Sequence, residues 1–248
     1  MRRGSSLKLL STISGIDQVI PLNYPLPHFD TYAPLMSLPR ILGTTIDTVP
    51  NHVPYLSVPA TASLKQLEAP AHTRLKVGIV WAGGVLYKHN ESRSCSLRHF
   101  EPLFEVPGVA FYSLQKGVQR DELNLLGWEG WVPDLGQDFK SLSDTTAAIA
   151  QLNLLITVDT VTAHLAGAMG KPVWTLLSNP ADWRWIVGRE DSPWYPTMRL
   201  FRQQEPGDWA GVIQRVKEEL RDLVKLPLEP PPYEESLEVK DVAGYPHP

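Results

Sequence analysis

Cysteine is nearly missing from this chain. Cys95 is the single one in 248 residues, which excludes an internal disulfide framework and suits a reducing compartment, so the expected location is the cytoplasm. Long apolar runs are missing as well. Nothing approaches the ~20 residues that span a bilayer, and the opening MRRGSSLKLL has no extended apolar core of the kind a signal peptide carries. A basic excess is also lacking. Lys and Arg number 23 against 27 Asp and Glu, for a formal charge of −4, so no surface is expected that neutralises nucleic-acid phosphates. Neither of the two strongest strand patterns is followed by G-x-G-x-x-G, which argues against a nicotinamide-dependent oxidoreductase. Proline and tryptophan, by contrast, are plentiful at 23 and 8, and imply long ordered loops.

The stretch from Leu154 to Trp174, LLITVDTVTAHLAGAMGKPVW, organises the rest. Leu154 to Val158 is a short apolar run, as expected of a strand buried on both faces. Asp159 and Thr160 are both good N-caps, Ala163 to Met169 suits a short helix, and Gly170 can take the left-handed conformation that ends it. After Pro172 the next strand begins at Val173. Strand, helix and strand in so few residues form a parallel βαβ unit. Its helix starts at the carboxyl end of a strand, where open α/β sheets bind ligands. The N–H groups there, with Val161 in the first turn, would favour an anion such as a diphosphate. The plainer alternative is that Asp159 and Thr160 only cap a packed helix, and that His164, one turn in, is a structural residue.

Other stretches repeat the pattern. Lys76 to Trp81 reads as a strand, followed by a loop in which Gly83 and Gly84 allow close backbone approach and Lys88 and Arg93 bring positive charge. Val109 to Leu114 reads as a second strand running into Gln115, Lys116 and Gly117. Ser141 to Leu152 reads as a helix capped by Ser143 or Asp144, which makes Asp144, Thr145 and Thr146 candidate contacts. Short strands are also expected at Ile16–Ile20, Gly130–Val132 and Met198–Phe201. Trp183, Trp185 and Trp194 are candidates to stack on a base or sugar ring. Residues 208–224 form an amphipathic helix, and the Pro- and acid-rich residues 226–248 are expected to be disordered. Met1 to Pro59 carries one plausible strand and little to pair it with.

VGIVWAGG, Arg93–Ser94, SLQKG, the run from Asp144 to Trp174, and DWRW…SPWYP…LFRQ resemble the C-terminal glycosyltransferase region of bacterial tetratricopeptide-repeat proteins. That region is similar to the lipopolysaccharide heptosyltransferases and, more distantly, to the O-linked N-acetylglucosamine transferases. The likeness covers roughly residues 15–220. It implies an α/β, Rossmann-like parallel sheet with helices on both faces, the C-terminal domain of a GT-B glycosyltransferase. It implies residues 75–225 as the nucleotide-sugar domain, 60–74 as a linker, and 1–59 as a remnant of the acceptor-side domain. It further implies a bacterial enzyme moving a hexosyl or heptosyl group from a nucleotide-sugar to an acceptor protein or glycan, with no metal and no cofactor. The donor would meet Gly83, Gly84, Lys88, Arg93, Gln115, Lys116, Asp144, Thr145, Asp159, Thr160, Val161 and His164. Val161 stands where the heptosyltransferases have glycine. No catalytic base is expected in this chain, since the family usually places it in the other half. The rival reading is a non-catalytic nucleotide-binding or interaction module on the same fold.

Overall fold

A computed structural model describes residues 6–62, 65–85 and 90–225. Lys88 and the stretch 226–248 therefore lie outside the described residues. In chain order the helices are α1 (Leu7–Leu10), α2 (Leu38–Ile41), α3 (Asn90–Arg93), α4 (Glu101–Phe104), α5 (Glu122–Leu126), α6 (Leu142–Ala150), α7 (Val161–Ala168) and α8 (Trp209–Lys225), with short 3-10 turns between some of them. The strands are β1 (Leu75–Val80), β2 (Val109–Ser113), β3 (Leu154–Val158), β4 (Val173–Leu177) and β5 (Met198–Arg202).

All five strands pair in parallel in the order β2-β1-β3-β4-β5. This is one of the two common doubly wound orders, and its direction of winding reverses between β1 and β3. Pairing of Val77 with Leu154 and of Leu155 with Val173 sets the central register. Because successive side chains alternate between faces, the strands feed two cores. Val77, Ile79, Ile156, Val158 and Phe111 pack on the side of α4, α5 and α8. Val80, Tyr112, Leu155, Val173 and Leu200 pack on the side of α6 and α7. Every residue of β3 is buried, as a central strand covered by helices on both faces requires. The fold is thus α/β and Rossmann-like. No described helix is long and apolar enough to cross a membrane.

Two expected strands do not form. Residues 16–20 have no strand neighbour, and residues 130–132 close a turn in which the Val132 N–H bonds back to the Trp128 carbonyl. The region 15–57 has few internal hydrogen bonds and leaves large apolar side chains open: Leu22 is 76% exposed, Tyr32 79% and Met36 83%. It is anchored at its far end, where the Tyr55 and Leu56 N–H groups both reach the Ala168 carbonyl that ends α7.

Candidate functional site

The carboxyl ends of β1, β2 and β3 share one cleft of about 580 Å3. Gly83, Gly84 and Arg93 come to it from the β1 loop, Gln115 and Lys116 from the β2 loop, and Thr160 and Val161 from the start of α7. Thr145, on the first turns of α6, closes the fourth side. The cleft lies at the reversal of strand order, where helices on opposite faces diverge and leave a crevice. Its side walls are aliphatic (Val80, Val85, Leu114, Val118, Leu142), a contribution that reading for polar and glycine residues missed.

Local chemistry explains each placement. Gly83 runs under the α3 side chains: a Cβ there would overlap the Asn90 amide oxygen and the Arg93 guanidinium, and its N–H donates to Ser94 Oγ at 3.0 Å. Gly84 faces open space. Thr160 caps α7 by accepting from the Thr162 N–H at 3.3 Å, and its hydroxyl also meets that of Thr157 at 3.1 Å. Val161 is half exposed on the first turn, against the helix N–H groups. The Lys116 ammonium donates to the Gly136 and Phe139 carbonyls at 2.8 and 2.7 Å, leaving one of its three N–H bonds for the cleft. Gly136 has to be glycine, since a Cβ there would overlap the Gln115 carbonyl. No sequence pattern marked Gly136 as the residue that fixes Lys116.

Several expected contacts have other duties. Gln115 is buried, and its amide is fully used: its oxygen accepts from the Trp81 and Ala82 N–H groups, and its nitrogen donates to the Ala82 and Lys116 carbonyls. It braces the β1 loop against the β2 loop rather than presenting a free amide. Asp144 is not the N-cap of α6. Ser141 is, and the Asp144 carboxylate closes a capping box by accepting from the Lys140 and Ser141 N–H groups. Thr146 is turned inward and donates to the Ser143 carbonyl.

His164 is not among the residues lining the cleft. Its ring stacks on Trp185 at 5.2 Å, and its Nδ1 meets the Tyr195 hydroxyl at 3.0 Å. Burial pushes its pKa down against the opposing pull of Asp159. Burial, and then the nearby Tyr55 hydroxyl, pushes the Tyr195 phenol up. None of the three tryptophans proposed to stack on a ligand lines the cleft. Trp185 is fully buried, Trp194 donates its indole N–H to the Arg184 carbonyl, and only Trp183 is well exposed, at 67%.

Asp159 is the remaining candidate. The residue is only 7% exposed, yet its carboxylate accepts no hydrogen bond from the described residues. It opens on a second hollow of about 280 Å3, lined also by Arg93, Ser178 and Asp182. Arg93 borders both hollows, so they adjoin. The Asp159 oxygens are not among the buried polar atoms left without a partner, so they are wetted through the smaller hollow and open to a ligand's donors.

No protein-family model matches the chain. A curated relative, Protein FlbA of Caulobacter vibrioides, is 35% identical over 152 residues, covering 59% of this chain and 25% of that protein. The chain thus spans about a quarter of that relative's length. Similar solved structures include E. coli heptosyltransferase WaaC with ADP, at 16% identity and a TM-score of 0.45 over 60% of this chain and 45% of that one. E. coli ADP-heptose lps heptosyltransferase II gives 18% and 0.47 over 63% and 48%. A glycosyl transferase family 9 protein from Veillonella parvula gives 18% and 0.41 over 61% and 46%. The chain's own strand order and register place it in the doubly wound α/β class, with a cleft at the switch point.

Proposed function

We propose that this chain is the donor-binding half of a glycosyltransferase that takes a sugar from a nucleoside diphosphate. The observation that carries the reading is the single cleft shared by Gly83, Lys116 and the N-terminus of α7. The sequence resemblance given above supports it. The diphosphate lies across the first N–H groups of α7, beside Lys116 and Arg93, where positive partial and full charges converge. The aliphatic walls take the nucleoside. The sugar sits toward the smaller hollow, and its hydroxyls donate to Asp159. An acceptor hydroxyl attacks the anomeric carbon, the bond to the diphosphate oxygen breaks, and the charge developing on that oxygen is stabilised by the same N–H groups and cations. The described residues lining the cleft include no carboxylate or imidazole. As the sequence resemblance implies, the base that takes the acceptor proton comes from a second unit. The open apolar side chains of residues 22–46 are the surface on which that unit packs.

Calorimetric titration with ADP-, UDP- and GDP-sugars tests the reading: one series binds, and Lys116→Met weakens it by on the order of tenfold, the loss of one charge-assisted hydrogen bond. Absence of binding by all three, with the fold intact, overturns it. Val161 favours a second reading, a module that binds nucleotide without turnover, because its side chain crowds the helix N-terminus. On that reading Val161→Gly tightens nucleotide binding, and no sugar transfer appears with an acceptor even when the second unit is supplied.

A further inference from the structure

A hollow of about 480 Å3 lies at the β5 edge of the sheet, bounded by β5, the loop at 188–190 and α8. β4 separates β5 from β3, and no residue lining this hollow lines the cleft or its smaller neighbour. Four arginines line it: Arg189, Arg199, Arg202 and Arg215. Two of them carry their own carboxylates. Arg189 holds Asp191 through two hydrogen bonds of 2.7 and 2.5 Å. Arg199 holds Glu219 at 2.6 and 2.9 Å, with Glu190 at 3.6 Å. Arg202 and Arg215, both half-buried, pair with no carboxylate among the described residues.

Backbone carbonyls hold these two instead. Arg202 donates from Nε to the Arg189 carbonyl at 2.9 Å and from Nη2 to the Trp185 and Ile186 carbonyls. Arg215 donates from Nε to the Gly211 carbonyl at 3.3 Å and from Nη2 to the Arg202 carbonyl. Carbonyls fix the guanidinium planes but cancel no charge. The Nη1 group of each has no acceptor among the described residues, and neither is among the buried atoms left without a partner, so both are open to solvent. Burial, with no carboxylate to oppose it, pulls the Arg202 pKa down. Glu218, the one lining carboxylate outside an ion pair, is exposed and accepts from Gln214. A half-buried cation gains more from an anion than a fully solvated one does, because less water screens the pair. A carboxylate has two oxygens, which one guanidinium fork already fills; a phosphate has enough to accept from two forks at once. We propose that Arg202 and Arg215 form a binding site for the phosphate of a small phosphomonoester, separate from the cleft and independent of the glycosyltransferase reading. The hollow has the size of a small-molecule site and leaves room beyond the phosphate for the body that carries it.

Calorimetric titration of the full chain with glycerol phosphate tests this, in a Lys116→Met background that lowers the cleft's own affinity for phosphate. Binding at one site is expected. Arg215→Gln is expected to weaken it by about tenfold or more, the loss of one charge-assisted fork. Glu218→Gln removes the unpaired carboxylate from the lining and is expected to tighten binding by about twofold or more, a gain that misfolding cannot imitate. Absence of binding overturns the proposal, and so does binding that Arg215→Gln leaves as tight as before. Binding that Glu218→Gln leaves unchanged also overturns it, whether or not Arg215→Gln folds. Inorganic phosphate that binds as tightly as glycerol phosphate overturns the monoester assignment.

Discussion

Gln115 and His164 show how much of the site is scaffold. The Gln115 amide satisfies two N–H groups and two carbonyls at the ends of β1 and β2. Gln115→Leu keeps much of the bulk and removes all four partners, so at least about 2 kcal/mol of stability is expected to go, read as a lower urea midpoint. Burial holds the His164 imidazole below its ordinary value of 6.5, partly countered by Asp159. The unfolded chain therefore takes up that proton at a higher pH than the folded chain does. The stability linked to neutral His164 is complete above about pH 6.5 and is lost as pH falls through the folded value. Unfolding free energies measured by urea between pH 5 and 7 should slope upward with pH, and His164→Gln should flatten that slope.

At the scale of elements, what was legible followed from local signals that tertiary structure reinforced. β1, β3 and β4 are apolar runs bounded by Gly, Pro or cap residues, and all three formed within a residue or so of where their composition placed them. α8 was legible from its period, and buries Trp209, Val212, Ile213, Val216 and Leu220 on one stripe. Residues 16–20 have β-type composition but no neighbouring strand to complete a ladder, so their propensity had nothing to act on. The α6 cap, expected at Ser143 or Asp144, lies at Ser141, because all three are capable caps and only the reciprocal bond of Ser141 with Asp144 decides among them. Meeting of Gly83, Lys116 and Thr160 at one rim was legible, since parallel strands send every β-to-α loop to the same edge. The hollow beside Asp159 was not, because it depends on which side chains stop short of it.

At the scale of the whole molecule, two surfaces contrast. The carboxyl rim of the sheet is concave and gathers its polar groups into adjoining hollows. The region before β1 is extended and apolar, with Leu35 78% and Leu42 73% exposed beside Tyr32 and Met36. Its consequence is colloidal. When this polypeptide is handled alone, attraction between such stretches on neighbouring molecules outweighs the repulsion from a charge of only −4. The weight-average sedimentation coefficient should climb with protein concentration, climb further in ammonium sulfate, and fall back on chilling, as attraction between apolar surfaces does.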